Sequence, residues 1–446
     1  MNNNPLRVAS LLLVWGLSCS AFALNGDPRP DAPELAARGD YQVGVRTVDV
    51  IHRDQLNILA ATSTDSNPRY DRPLRLEVWY PAQLKTGQAE LSTYTDVLGA
   101  GANNPARPNT EFTFEGRAAR DAQPRTAKAF PLVIVSHGYP GSRLQMSYLT
   151  EFLASHGYIV VAIDHTESTR ADRAGFASTL LNRPLDILFV LDQVTEWAKS
   201  GSGNPLAGKI DVNHTALLGY SMGGYGVLNA AGVGTGAAAL RFVPGTALQA
   251  RQAGNPAFEA ARDPRIKALI AFAPWGGQQS LFEEKGLAGL RVPSLFIAGD
   301  QDDVAGYADG VRRLAEGAKN ANRYLLVYEN ARHNIAPNPP PAAASSHPDD
   351  FSAYAEPVWD ISRINNINQH FVLAFLDQQL KSIDRQPWLT LVPRAADGKW
   401  SKDETGREKP DHTYWKGFKN RSALGLEFYH WPAQTTPSST TPRDPQ

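Results

Sequence analysis

Residues 215–231, TALLGYSMGGYGVLNAA, narrow the possible folds of this 446-residue chain more than any other stretch. An apolar run, Ala216 to Leu218, leads into Gly219-Tyr220-Ser221-Met222-Gly223, and small and apolar residues follow at helical spacing. G-x-S-x-G between a strand and a helix is the pattern of a nucleophile turn. A serine at the tip of so sharp a turn leaves no room two residues to either side, which is why glycine stands at 219 and 223. The amide of Met222 opens the following helix, whose dipole favours an anion above Ser221. A strained, exposed serine beside such an amide is the front half of an acyl-transfer site. A glycine-rich turn that merely happened to carry a serine would need neither flanking element.

The patterning around this stretch indicates an α/β class. From Phe130 onward, continuous apolar runs (132–136, 158–163, 266–272, 294–298, 324–328) alternate with helical patterns (145–156, 183–200, 370–380). That alternation predicts a doubly wound, mostly parallel sheet with helices on both faces. Residues 41–50 and 74–80 alternate apolar and polar, as antiparallel opening strands do. Residues 98–128 read as a surface excursion, and 232–263 as an insertion near the site.

A serine nucleophile needs a base, and the base needs an orienting acid, supplied by loops after later strands. The run 294–298 ends in Gly299-Asp300-Gln301-Asp302-Asp303, where the G-x-x-D spacing selects Asp302 over Asp300, and Asp303 reads as a solvated loop residue. The next run is followed by Arg332-His333-Asn334, which makes His333 the candidate base; a lone loop histidine is usually surface, but this one has the right chain order. A second oxyanion amide besides that of Met222 is expected from His137-Gly138-Tyr139-Pro140: proline cannot donate, so Tyr139 is the candidate. His137 is expected to support this loop, and His165 to line the cleft. No histidine pair has metal-ligand spacing, so neither a metal nor another cofactor is expected.

The ends and the composition set the setting. Residues 1–23 combine Arg7, an apolar core from 8 to 17 and Ala21-Phe22-Ala23, the pattern of a bacterial signal peptide, and the core falls short of the about twenty apolar residues of a membrane span. Cys19 is the only cysteine, so the exported chain has no disulfide and no thiol nucleophile. The net charge of −1, without a basic block, argues against nucleic acid. Residues 24–40 read as a loose arm, 41–382 as one catalytic domain, 383–433 as an extension packed on it and 434–446 as a disordered tail. The chain is expected to be a secreted or periplasmic monomer.

Taken in order, HGYPGS, GYIVVAIDH, GYSMGG, AFAPW, AGDQDDVA and ENARHN resemble the α/β-hydrolase fold, in the branch of dienelactone-hydrolase-like and platelet-activating-factor-acetylhydrolase-like serine esterases. Bacterial cutinases and polyester hydrolases share several of these motifs. The resemblance spans about residues 41–380. It implies Ser221, Asp302 and His333 as nucleophile, acid and base, Tyr139 and Met222 as oxyanion amides, and Trp275 as a wall of the acyl pocket or a core residue. It implies a small-molecule or lipid ester as substrate. A phospholipase, a polyester hydrolase and a catalytically dead binding protein are the alternatives. Ser221 departs from the cysteine nucleophile of true dienelactone hydrolases, and the chain lacks the disulfide usual in cutinases.

Overall fold

The computed structural model describes residues 24–101, 104–126 and 128–434. The expected signal peptide and residues 435–446 of the expected tail lie outside them. The chain opens with β1 (Gln42–Leu56), β2 (Arg69–Gln83), β3 (Ser92–Leu98) and β4 (Thr110–Gly116), then two short strands, β5 (Ala119–Arg120) and β6 (Gln123–Pro124). Six strands then run parallel to one another: β7 (Phe130–Ser136), β8 (Ile159–Asp164), β9 (Ile210–Tyr220), β10 (Ile266–Phe272), β11 (Ser294–Gly299) and β12 (Arg323–Tyr328). Their spatial order is β12-β11-β10-β9-β7-β8. The sheet continues antiparallel through β2 and β1 at one end and β13 (Leu426–Trp431) at the other.

Strand alternation divides the core in two, because successive side chains point to opposite faces. Leu132, Ile134 and Leu217 pack with Ile187 and Val190 of α2 (Phe176–Ala198, after the shorter α1, Ser147–Ser155) and with Val227 of α3 (Met222–Ala230). Val133, Val135, Ala216 and Leu218 share the other core with Leu149 and Phe152 of α1. Four short helices follow: α4 (Pro256–Ala260), α5 (Glu284–Leu287), α6 (Arg313–Gly317) and α7 (Pro348–Ser352). The long α8 (Ile361–Leu380) completes this second layer, and α9 (Gln386–Leu389) follows it.

The structure departs from the sequence reading in four places. Helix α2 begins at Phe176, not at residue 183, and carries Pro184 in its interior. Proline leaves the Leu180 carbonyl without its helical donor, and the Tyr225 hydroxyl donates to that carbonyl instead at 3.0 Å. Residues 24–40 are docked rather than loose: Leu35 N–H donates to His370 Nδ1 at 3.2 Å, Glu34 N–H to the Gly417 carbonyl at 2.8 Å and Arg29 N–H to Asn366 Oδ1 at 2.9 Å. A proline-rich segment has few apolar anchors, but its backbone groups find partners on α8 and the C-terminal region. The stretch 98–128 is no mere excursion, since β4 pairs with β3 and Ala118, Ala119 and Ala122 are buried. Finally, residues 426–431 form a strand of the main sheet.

Phe371 of α8 joins the C-terminal region to the domain. Its ring is fully buried, lies 5.0 Å from that of Phe428 in a stacked arrangement and meets Trp415 edge-on at 5.9 Å. Phe371→Ala is expected to lower unfolding free energy by about 3 to 5 kcal/mol, read as a fall in the urea midpoint with unchanged slope. A loss under about 1 kcal/mol would remove this ring from the core's supports.

Candidate active site

Ser221 lies between β9 and α3 with φ 54° and ψ −116°, a left-handed backbone that non-glycine residues rarely adopt. Its N–H donates to the Phe272 carbonyl at 2.9 Å, and its carbonyl accepts from Trp275 N–H at 3.0 Å, so the end of β10 grips the turn from both sides. The two motif glycines are sterically required: a Cβ at Gly219 would run into the Gly223 carbonyl, and one at Gly223 into the Ser136 carbonyl.

The loops after β11 and β12 bring Asp302 and His333 to this serine. Ser221 Oγ lies 2.9 Å from His333 Nε2, and His333 Nδ1 lies 2.9 and 3.0 Å from the two carboxylate oxygens of Asp302. The three residues are only 7 to 8% exposed. Burial disfavours the Asp302 anion, but the bond from His333 and the N–H donors of Ala305 (2.8 Å) and Val304 (2.9 Å) outweigh it, and its carboxyl sits below the ordinary range. Asp300 instead accepts from Asn330 N–H at 2.6 Å, and exposed Asp303 pairs with Arg332. Tyr220 backs the imidazole, its ring 5.3 Å from that of His333 and its hydroxyl 3.1 Å from Asn334 Oδ1.

The amides of Tyr139 and Met222 make no hydrogen bond to a protein acceptor among the described residues. His137 is buried; its Nε2 accepts from His165 N–H at 3.2 Å, so Nδ1 carries the proton and donates to the Gly138 carbonyl at 2.6 Å. His165 does not line a cleft. It is fully buried, donates through Nδ1 to Asp186 at 3.0 Å and accepts through Nε2 from the Ser136 hydroxyl at 2.9 Å. Asp186 is held in turn by the fork of Arg72, at 2.9 and 3.0 Å. Trp275 is half-buried and stacked at 5.6 Å on Phe176, whose ring also lies 4.9 Å from that of Tyr139 in a tilted arrangement; Phe242, from the stretch 232–263, meets Trp275 edge-on. Arg183, Phe176 and Phe242 escaped sequence reasoning, although an arginine in the middle of the apolar pattern of α2 was a signal for the first.

The surroundings of this constellation match known proteins. A family model described as PET hydrolase-like matches residues 122–249, and one for platelet-activating factor acetylhydrolase, isoform II, matches residues 37–184. Cutinase 2 of Thermobifida cellulosilytica is 26% identical over 218 residues, covering 49% of this chain and 65% of that protein. Cutinase cut1 of Thermobifida fusca is also 26% identical over 218 residues, 49% of this chain and 53% of that protein. The chain thus spans between half and two thirds of the length of these relatives. A ferulic acid esterase from Streptomyces cinnamoneus superimposes with a TM-score of 0.52 at 20% identity, over 79% of this chain and 94% of that one. The chain has the α/β-hydrolase fold, and over about half of its length it is similar to cutinases.

Burial pushes the His165 imidazole down to about 4 from the ordinary 6.5. As pH falls, the unfolded chain therefore takes up this proton first; the stability gained by keeping the ring neutral is whole above 6.5 and drains between 6.5 and about 4. Burial acts oppositely on Glu151, pushed up to about 7, and on Asp164, pushed up to about 6, so the total pH dependence mixes signs. Comparison with His165→Gln isolates the one group: between pH 7.5 and 5 the wild type is expected to lose roughly 1 to 2 kcal/mol relative to the variant. Urea titrations of both at the two pH values measure it, and parallel curves would contradict a neutral buried ring.

Proposed function

We propose that this chain is a serine carboxylic ester hydrolase working through an acyl-enzyme. The observation that carries the reading is the 2.9 Å approach of His333 Nε2 to Ser221 Oγ, with Asp302 on the far side of the same ring. His333 takes the Ser221 proton as Oγ attacks the ester carbonyl, and Asp302 holds the tautomer that leaves Nε2 free to accept. The N–H groups of Tyr139 and Met222 receive the negative charge of the tetrahedral intermediate. As this collapses, His333 protonates the leaving alkoxide; water, deprotonated by the same ring, then attacks the acyl-enzyme and releases the acid. The reading includes export, and the names of the relatives support an ester as substrate.

The rim supports an apolar or flat acyl group. Trp275, Phe176 and Tyr139 form a row of rings beside the serine, with Phe176 42% exposed, and ring faces favour contact with planar or apolar groups. Short acyl esters, an aromatic ester, an oxidised phospholipid and a polyester film, assayed side by side, rank the candidate substrates.

Ser221→Ala is expected to cut kcat on p-nitrophenyl butyrate by about 10⁴-fold or more while far-UV circular dichroism stays unchanged, and to abolish labelling by a fluorophosphonate. Activity near wild type would remove Ser221 from the mechanism; an unlabelled, inactive wild type would favour a binding protein on the same fold. Asp302→Asn is expected to cost about 10⁴-fold in kcat, because the imidazole would be held in the wrong tautomer, and Asp300→Asn less than about tenfold. The reverse ranking in a steady-state assay would reassign the acid.

A further inference from the structure

We propose that Arg183 is the positioning residue of the oxyanion loop: its guanidinium, clamped on two successive carbonyls, aims and polarises the Tyr139 N–H toward Ser221. The proposal rests on the ester-hydrolase reading above and adds to it a residue outside the triad and the amides.

The Gly138–Tyr139 peptide is trans. Its C=O and N–H therefore lie in one plane and point in opposite directions, so whatever fixes the oxygen of Gly138 fixes the aim of the Tyr139 N–H. That oxygen accepts from Arg183 Nη2 at 2.8 Å and from His137 Nδ1 at 2.6 Å. Arg183 Nη1 donates to the preceding carbonyl, that of His137, and reaches the Ser136 hydroxyl at 3.3 Å; Nη2 also donates to Ser168 Oγ at 2.7 Å. A positive charge at the carbonyl end of a peptide draws its electrons toward oxygen and strengthens the N–H at the other end as a donor.

The cost of this arrangement argues that it serves more than packing. Arg183 is fully buried and makes no ion pair with a carboxylate among the described residues. Its Nε has no partner, and burial lowers its pKa to about 9, which leaves it charged at neutral pH. Burying a cation without a direct carboxylate contact costs several kcal/mol, which the charge of Asp186 and the bonds to the two buried carbonyls offset in part. The planar fork also spans two adjacent carbonyls, which the single ammonium of lysine does not do.

The test compares wild type with Arg183→Lys and Arg183→Gln, each shown to fold by far-UV circular dichroism and a cooperative urea transition. The readouts are kcat and KM on p-nitrophenyl butyrate, the rate of inactivation by a fluorophosphonate, and the pH midpoint of kcat/KM. Both variants are expected to lose about 30- to 300-fold in kcat, somewhat less than the about 100- to 1,000-fold of a donor removed outright, because the N–H remains and loses only its aim. KM should stay within about threefold, inactivation should slow in parallel and the pH midpoint should stay in place. A kcat of Arg183→Lys within about threefold of wild type overturns the proposal, as does a fall accompanied by a shifted midpoint, which would signal a disturbed triad. If neither variant folds, Ser168→Ala, which removes one acceptor of Nη2, is expected to lower kcat about three- to tenfold at constant KM, and an unchanged kcat overturns the proposal. A wild type inert to both the ester and the fluorophosphonate sinks the ester-hydrolase reading itself; an active wild type with unaffected variants sinks only the role of Arg183.

Discussion

The strained backbone of Ser221 is the constraint on which the rest of the structure depends. A left-handed non-glycine residue of this kind costs about 1 to 3 kcal/mol and persists only where its surroundings leave it no alternative. Here the surroundings are the ends of two neighbouring strands. Gly219 of β9 pairs in register with Ala271 of β10, and the residues just beyond, Phe272 and Trp275, bond the peptide groups on either side of Ser221. Gly223 then lets α3 sit directly on the Ser136 carbonyl of β7. The hydroxyl of the proposed nucleophile is thereby held by the ends of neighbouring strands as well as by its own turn.

The same sheet explains how residues far apart in the chain come to share one site. Tyr139, Ser221, Asp302 and His333 follow β7, β9, β11 and β12, and all four strands are parallel, so their loops emerge at the same edge. In a doubly wound sheet that edge, at the carboxyl ends of the strands, is where ligands bind. Ser221 and His333 are 112 residues apart in sequence, yet the strands they follow, β9 and β12, lie only three strand spacings apart in the sheet. The imidazole of His333, the proposed base, reaches back over this distance from a turn beyond β12 whose Ile335 and Ala336 are anchored in the core.

How much of this the sequence disclosed follows from how local each signal is. The glycines around Ser221, the fully apolar runs of β7, β11 and β12, and the G-x-x-D before Val304 are dictated by contacts within a few residues, so they stand out in the primary order. The edge strand β13 was not legible, because Leu426–Trp431 alternates only weakly and becomes a strand through pairing with β12. The arginine at 183 stood out within an apolar helical pattern, but its partners were not legible. Next to Pro184 it resembles the start of a helix, whereas its partners, the carbonyls of His137 and Gly138, lie about 45 residues away. The docking of residues 24–40 likewise rests on backbone bonds to α8 and Gly417, which no side-chain pattern announces.

The C-terminal region, which lies beyond the stretch of family resemblance, bears on the site through β12. Without β13, β12 would be the edge of the sheet, and an edge strand presents unpaired backbone groups on its open side. The residues just past β12 depend on the same cover. Glu329 N–H donates to the Gly425 carbonyl at 2.8 Å, and the Glu329 carbonyl accepts from Trp359 Nε1 at 2.8 Å. Asn330, with φ 62°, then turns the chain back toward His333, and Asp300 holds its N–H. Each bond acts within four residues of the imidazole. The turn that carries His333 is therefore braced from two sides, by the β13 side of the sheet and by the segment leading into α8, and the extension is part of what keeps His333 Nε2 within hydrogen-bonding distance of Ser221.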